Sequence, residues 1–250
     1  IWTIHHASNS LKYESLHTKV SVLILAKISS FVPKSIIYCS ELSFSIHKKF
    51  GYCDSKAKTI CNGIDTNIFK PNSQKRLIQR KKLSINQNEI LIGLIARYDP
   101  NKGISYFLNI AKTVLNKKNN VKFLMCGTDM NQQNQSLMNQ IYNRSLQKNI
   151  ILLGERKDIA SVYNSLDLLI CTSITESFGL VIFEAISSGV DVISFDIPAL
   201  RNIVDDKNLV IPGDSLSFAN KIIYFINNRN NNVFNNNISR EAIIKKYDIN

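Results

Sequence analysis

Residues 90–126 read ILIGLIARYDPNKGISYFLNIAKTVLNKKNNVKFLMC, and the architecture follows from this stretch. It begins with a continuous apolar run at 90–95 and ends with a predicted strand at 122–126, which is apolar throughout after Lys122. Between them, apolar residues recur at helical spacing, at Ile104, Phe107, Leu108, Ala111, Val114 and Leu115. Continuous apolar runs are typical of strands buried on both faces of a parallel sheet. The stretch therefore predicts a strand, a helix and a second strand of such a sheet.

The same alternation extends over the rest of the chain. Further strands are predicted at 1–4, 36–39, 58–61, 150–153, 168–171, 190–194 and 209–211. Strands that alternate with helices predict an α/β fold with doubly wound parallel sheets. A polar, basic stretch without strand signals divides the chain. We therefore predict the C-terminal part of a Rossmann-like domain at 1–72, a linker with a first helix at 73–88, and a complete Rossmann-like domain at 89–250.

The composition excludes several classes of protein. The chain of 250 residues is 44% hydrophobic, which excludes an intrinsically disordered chain, and nine Gly and five Pro exclude a collagen-like one. Five cysteines include no C-x-x-C pair and so give neither a zinc spacing nor a disulfide framework. Cys39, Cys126 and Cys171 lie in apolar runs, which favours reduced thiols and a cytoplasmic location. The longest apolar stretch, 20–28, is too short to span a membrane.

The chain is strongly basic, with a net charge of +12 at pH 7. A balance of this kind favours partners that carry negative charge, namely nucleic acid, an anionic membrane surface or a phosphate-bearing substrate. Lys and Asn are both abundant, so compositional drift is a further explanation of the charge. The composition alone leaves these alternatives open.

Two carboxylates, Glu176 and Glu184, flank an apolar run that follows a predicted strand. Residues 179–188 predict a buried helix, with Glu176 at its N-terminus and Glu184 two turns in, at a separation of roughly 12 Å. A sugar joined through a diphosphate to a ribose spans about that distance. A helix N-terminus also offers N–H groups to phosphates and hydroxyls. In the alternative reading, Glu176 only caps the helix and Glu184 lies on the surface.

Two cations follow the predicted strand at 90–95. Arg97 ends the strand, a turn follows, and Lys102 precedes the next helix. In open α/β sheets, ligands bind in the crevice outside the carboxyl ends of the strands. A diphosphate suits this pair, because Arg binds it as a bidentate fork and Lys as a point charge. A pair of solvated loop cations is the alternative.

Other patterns carry less information. His5 and His6 follow the first predicted strand, and the residues alone leave a structural and a catalytic role for His6 open. The sequence has no G-x-S-x-G, no P-loop motif and no G-x-G-x-x-G dinucleotide fingerprint. It has no D-x-D pair either, so we expect neither a metal ion nor another cofactor.

The motifs together resemble the retaining GT-B glycosyltransferases of family 4, the glycosyl transferases group 1. The resemblance rests on Glu176-x7-Glu184, Arg97-x4-Lys102-Gly103 and the stretch Asn62-Gly63-Ile64-Asp65 with Phe69 and Pro71. Residues 2–6, 36–40, 96–102 and 153–159 are similar to bacterial members that build O-antigen, capsule or related surface polysaccharides.

The resemblance implies two Rossmann-like domains that face each other, with the nucleotide sugar bound mainly to the second. It assigns Arg97 and Lys102 to the donor diphosphate and Glu184 to the ribose. It assigns the donor sugar to a group of four residues, Glu176, Phe178, Gly179 and Leu180. His6 matches a histidine that faces the sugar, so His6 and Glu176 are the predicted catalytic residues.

The implied reaction moves a hexosyl unit from a nucleoside-diphosphate sugar to a glycan or lipid-linked acceptor, with retention of anomeric configuration and without a metal. The implied location is the cytoplasm, where the protein could associate peripherally with the inner face of the membrane. Ile1 lies within a predicted strand, so we expect a fragment that lacks its N-terminal part. Asp191 stands where the family usually has Pro. The alternatives are a basic α/β domain that binds nucleotides or nucleic acid without catalysis, and a nucleotide-sugar epimerase or dehydrogenase, which the missing glycine fingerprint disfavours.

Overall fold

The structure is a computed structural model that describes residues 1–5, 16–229 and 237–250. Strands and helices alternate along these residues, as predicted. They form two compact units. Unit 1 comprises Ile1–Gly63, Thr175–Gly179 and Pro198–Leu200. Unit 2 comprises Ile64–Ile174, Leu180–Ile197 and Arg201–Asn250.

Unit 1 contains a three-stranded parallel sheet in the order β1-β2-β3. Its strands are β1 (Trp2–Ile4), β2 (Ile36–Tyr38) and β3 (Ala57–Thr59), and its helices are α1 (Leu16–Ile28) and α2 (Glu41–Lys49). Ile36 and Tyr38 of the central strand are fully buried. Helix α2 begins after Ser40, whose hydroxyl accepts a hydrogen bond from the Ser43 N–H and so caps the helix.

Unit 2 contains a six-stranded sheet in which every neighbouring pair is parallel. Its strands are β4 (Ile90–Ile95), β5 (Val121–Cys126), β6 (Ile150–Leu152), β7 (Leu168–Cys171), β8 (Asp191–Phe195) and β9 (Leu209–Val210). Every residue of β4 and of β7 is buried, which explains why both strands are continuous apolar runs in the sequence.

Seven helices accompany this sheet in the part of unit 2 that the structure describes. They are α3 (Ser73–Lys82), α4 (Ile104–Leu115), α5 (Gln135–Tyr142), α6 (Ile159–Ser165), α7 (Leu180–Ser187), α8 (Ser215–Asn228) and α9 (Arg240–Tyr247). Helix α4 buries the predicted apolar stripe apart from Leu115, which is partly buried. It packs against α8, while α3 packs against α6. None of the helices among the described residues is long and apolar enough to cross a membrane.

The strand order β6-β5-β4-β7-β8-β9 contains a reversal. From β4 the chain builds outward to β6, and it then returns to pair β7 with the other side of β4. The carboxyl ends of β4 and β7 therefore flank a topological switch point, the place where open α/β sheets bind their ligands.

Charged side chains of α3 fasten that helix to the start of β7. Arg76 and Arg80 both donate to the carboxylate of Asp167, at 2.6 and 3.0 Å, and the N–H of Leu91 donates to the same carboxylate at 2.8 Å. Arg80 and Asp167 are both buried, so each charge depends on the other for compensation. The polar, basic stretch at 73–88 predicts a first helix but not this ion pair.

The prediction of an α/β fold with parallel sheets is confirmed, and all nine predicted strands are present within a few residues of their predicted bounds. The largest departures lie at strand ends, where β3 begins at Ala57 and β8 begins at Asp191 rather than at 190. The predicted domain boundaries stay a prediction.

Candidate functional site

The loop between β4 and α4 carries the two predicted phosphate-binding cations. It contains a short 3₁₀ helix, Pro100–Lys102, which is capped by Asp99 because its carboxylate accepts from the Asn101 N–H at 2.8 Å. Gly103 then adopts a left-handed conformation, with φ of 64°. A Cβ at Gly103 would collide with the backbone carbonyl oxygen of Thr172, so this position requires glycine.

Hydrogen bonds hold this loop against the chain that follows β7. The Thr172 hydroxyl donates to the Lys102 carbonyl at 2.9 Å, and the Ile174 N–H donates to the Asn101 carbonyl at 2.8 Å. The turn after β5 lies equally close to the end of β4, because a Cβ at Gly127 would collide with the Ala96 carbonyl. The backbone at the switch point is therefore fixed by its own packing.

Arg97 projects from this edge with a side chain that is 67% exposed. Its Nε and Nη2 both lie 3.1 Å from Oδ2 of Asp99, a partner that sequence reasoning missed although it stands only two residues away. An exposed ion pair of this kind contributes little stability, so an incoming diphosphate can compete for the guanidinium. Lys102 is partly buried in the same loop.

Glu184 lies on α7, the helix that follows β7, and is partly buried. The hydroxyl of Tyr163 on α6 donates to Glu184 Oε2 at 2.6 Å. Burial raises the pKa of Glu184, and this hydrogen bond acts in the opposite direction. The pKa of Tyr163 is raised well above its ordinary value, first by burial and then by the neighbouring carboxylate. The surface position considered for Glu184 is therefore wrong.

Sequence reasoning also missed Tyr163. A tyrosine within the apolar stripe of a predicted helix was the available signal, because a buried phenol needs a hydrogen-bond partner. The apolar sequence around Glu184 was a second signal, since a carboxylate on such a helix requires a polar neighbour.

Glu176 does not lie where the sequence placed it. The helix begins at Leu180, and Gly179 before it has a φ of 87°, outside the right-handed helical region. Glu176 therefore precedes the helix instead of standing at its N-terminus, and Glu184 is the fifth helical residue, little more than one turn in. The rise of a helix consequently does not describe the separation of the two carboxylates, and the expected geometry is wrong on this point.

The predicted site residues divide between the two units. Arg97, Lys102, Leu180 and Glu184 belong to unit 2, at the loop after β4 and on the helix after its neighbour β7. The remaining predicted residues of the sugar site, Glu176, Phe178 and Gly179, belong to unit 1. Phe178 is buried and Glu176 is partly buried. His6 lies outside the described residues. No group of three or more His, Cys, Asp or Glu side chains that could hold a metal ion occurs in the described ranges.

Comparison with known proteins adds three findings. Residues 75–245 match the family described as "Glycosyl transferases group 1". The UDP-Gal:alpha-D-GlcNAc-diphosphoundecaprenol alpha-1,3-galactosyltransferase of Escherichia coli is 26% identical over 98% of this chain. The O-antigen biosynthesis glycosyltransferase WclY of Escherichia coli is 24% identical over 94% of it. The chain spans 65% and 66% of the length of these two relatives.

Among solved structures, HepE from Anabaena in complex with UDP and glucose superimposes with a TM-score of 0.86 at 23% identity. The match covers 99% of this chain and 67% of that one. At this level of identity the likeness concerns the fold, and it confirms the GT-B type of α/β architecture.

Proposed function

Because the chain belongs to the glycosyl transferases group 1 family, we propose that it transfers a hexosyl unit from a nucleoside-diphosphate sugar to a glycan or lipid-linked acceptor, with retention of configuration. The proposal extends to the synthesis of a bacterial surface polysaccharide, in keeping with the names of the two Escherichia coli relatives. One structural observation supports the proposed reaction. The loop with Arg97 and Lys102 and the helix with Glu184 follow adjacent strands at the switch point of the unit 2 sheet.

In this proposal the nucleotide binds to unit 2. Arg97 and Lys102 hold the diphosphate and stabilise the negative charge that develops on the leaving group, so the reaction requires no metal. Glu184 accepts hydrogen bonds from the ribose hydroxyls. Its partly buried position strengthens such contacts, because a hydrogen bond is electrostatically stronger where the local dielectric is low.

The donor sugar is assigned to Glu176, Phe178, Gly179 and Leu180, and a catalytic role to His6 and Glu176. These assignments rest on the family resemblance. The acceptor attacks the anomeric carbon on the face from which the nucleoside diphosphate leaves, which accounts for retention. Since one relative is named for UDP-Gal, a UDP-sugar is the first donor to test.

Calorimetric titration of the intact protein with UDP tests the nucleotide site. We expect Arg97→Gln and Lys102→Gln each to weaken binding roughly tenfold, since each removes a charge-assisted contact. Lys112→Gln, which changes an exposed lysine of α4, is the control and should bind as the unchanged protein does. Binding that persists undiminished in both variants, or that disappears on addition of a chelator, would refute the proposed diphosphate site.

A further inference from the structure

The carboxylate of Glu184 has one hydrogen-bond partner. Tyr163 Oη donates to Oε2 at 2.6 Å, and Glu184 makes no other side-chain hydrogen bond within the part of the chain that the structure describes. Tyr163 itself is completely buried. The phenol therefore fixes one oxygen of the carboxylate, while the other, Oε1, makes no side-chain hydrogen bond with the described residues.

The ring of Tyr163 is held by the turn at residues 65–72, which precedes α3. Phe69 meets it edge to face, with ring centroids 5.8 Å apart and an interplanar angle of 75°. Asn164, the next residue of α6, donates to the Lys70 carbonyl at 3.1 Å and accepts from the Asn72 N–H at 2.6 Å. The stretch that carries Phe69 is consequently tied to the helix that carries Tyr163.

The same turn has its own internal support. The carboxylate of Asp65 accepts from the N–H groups of Asn67 and Ile68, at 2.9 and 3.0 Å, and its carbonyl accepts from the Phe69 N–H at 2.9 Å. These hydrogen bonds close the turn and orient the ring of Phe69 towards Tyr163.

Arg240 of α9 connects this turn to α7. Its guanidinium donates to the carbonyls of Thr66 and Phe69, at 2.9 and 2.7 Å, and to the carbonyl of Ser187 at the end of α7. The turn is thus fastened both to the helix that carries Tyr163 and to the helix that carries Glu184.

We propose that Tyr163 is a positioning residue for the ribose-binding carboxylate of Glu184, and that the turn at 65–72 holds the tyrosine ring in place through Phe69. This inference rests on the proposed function, because it concerns the carboxylate assigned to the ribose. It also gives a structural role to Asp65 and Phe69, which the proposed function does not assign to the donor.

The tyrosine has an electrostatic effect in addition to a steric one. Burial raises the pKa of Glu184, and the phenolic hydrogen bond counteracts that rise because it stabilises the ionised form. Without the hydroxyl, the carboxyl group takes up its proton at a higher pH. A protonated carboxyl group has lost acceptor capacity for the ribose hydroxyls, so affinity should fall as the pH is lowered.

Several other titratable groups lie on the elements that pack against α7, which are α6, β7, β8 and α9. Besides Tyr163 they are Cys171 on β7, Asp191 on β8, and Arg240, Glu241, Lys245, Lys246 and Tyr247 on α9. Burial raises the pKa of Asp191 to about 6, which places its titration within the range of the test. These groups and the phosphates of UDP are shared by the parent protein and a Tyr163 variant, so their effects cancel in the comparison.

The test is calorimetric titration of the intact protein with UDP at a mildly acidic and at a mildly alkaline pH, because loss of the phenolic hydrogen bond shifts the protonation of Glu184 towards higher pH. Tyr163→Phe keeps the ring and its packing. We expect it to bind UDP roughly threefold to tenfold more weakly than the parent at the lower pH and nearly as well at the higher pH. Phe69→Leu should weaken binding in the same direction by a smaller factor. Tyr142→Phe, at an exposed tyrosine of α5, should leave affinity unchanged at both pH values.

Glu184→Gln separates this inference from the function on which it rests. If Glu184→Gln leaves UDP affinity unchanged, the ribose assignment is wrong. If Glu184→Gln weakens binding while Tyr163→Phe shows the parent's affinity and pH profile, the positioning role is wrong and the ribose assignment stands. A loss in Tyr163→Phe that is equal at both pH values would support the steric effect and overturn the electrostatic one.

Discussion

The ionised carboxylate of Asp191 is disfavoured by its burial in the folded protein. Asp191 opens β8, is partly buried, and burial raises its pKa to about 6. In the unfolded chain an aspartate has a pKa of about 3.9, so the folded state binds more protons between these values. This group therefore makes the free energy of unfolding fall as the pH rises from about 4 to about 6.

Asp191→Asn should relieve that penalty. We expect the variant to be more stable than the parent at about pH 7, by up to about 3 kcal/mol, because the amide carries no charge to desolvate. At about pH 4 the parent carboxyl group is neutral in the folded state, so the difference should vanish. Denaturant unfolding at both pH values measures this, and an equal difference at the two would contradict the explanation.

Some residues of the candidate site could be predicted from the sequence and others could not. The sequence identified Arg97 and Glu184 as site candidates from residue type and spacing, and both follow adjacent strands at the switch point. It did not identify Asp99 or Tyr163, because a hydrogen bond between side chains depends on packing that periodicity does not encode. The placement of Glu176 at a helix N-terminus was wrong, since the positive φ of Gly179 ends any helical run before it.

The loop between β4 and α4 shows how an element positions a site. Gly103 has a positive φ, and its missing Cβ leaves room for the Thr172 carbonyl. Gly103→Ala must adopt a strained conformation at about 1–2 kcal/mol and also displace the backbone after β7. We expect lower stability and weaker UDP binding, since Arg97 and Lys102 lie in the displaced loop.

Gly51→Ala is the matched control for this substitution. Gly51 also has a positive φ, of 92°, but no atom lies within 4 Å of the Cβ that alanine would add. The Gly51→Ala variant should be less stable than the parent because of backbone strain alone, and it should keep the parent's affinity for UDP. If the two variants bound UDP equally well, the loop would not depend on the close approach of Gly103 to Thr172.

Elements were more predictable than contacts for a physical reason. A strand buried on both faces must be apolar throughout, so β4 and β7 are visible in the sequence. A helix end depends on one or two residues, and the start of α7 after Gly179 was correspondingly placed one residue early. Sheet order requires knowledge of which strands pair, and the reversal between β4 and β7 follows only from the structure.

At the scale of the whole molecule, the positive charge of unit 1 leads to a prediction about membranes. Basic residues outnumber acidic ones among its described residues, with Lys19, Lys27, Lys34, Lys48, Lys49, Lys56 and Lys58 against Glu41, Asp54 and Glu176. Helix α1 also exposes apolar side chains, among them Leu16, Leu23 and Ile24.

We expect weak association with anionic vesicles that diminishes with added salt, because the attraction is electrostatic and screened. Flotation of the intact protein with neutral and with anionic vesicles measures this. Replacing Lys19, Lys27 and Lys34 by Gln should reduce flotation with the anionic vesicles, whereas Lys112→Gln on α4 should not. Equal flotation with both kinds of vesicle would contradict an electrostatic attachment.

In the proposed function, two carboxylates serve different parts of one nucleotide-sugar donor. Glu184 is assigned to the ribose, which is bound alike in the ground and transition states. Glu176 is assigned to the sugar, whose ring gains positive character as its bond to phosphate breaks. Replacing Glu184 by alanine should therefore mainly affect nucleotide affinity, whereas replacing Glu176 by alanine should mainly affect turnover.

The most direct test combines calorimetry with UDP and steady-state kinetics on the intact protein. Glu184→Ala should lose UDP affinity by roughly 1.5–3 kcal/mol, or about tenfold to a hundredfold. Glu176→Ala should lower turnover by a similar factor while its affinity for UDP stays nearly that of the parent. Glu241→Gln, at an exposed glutamate of α9, should change neither quantity. If both alanine variants lost UDP affinity equally, or if neither did, the assignment of the two carboxylates would be contradicted.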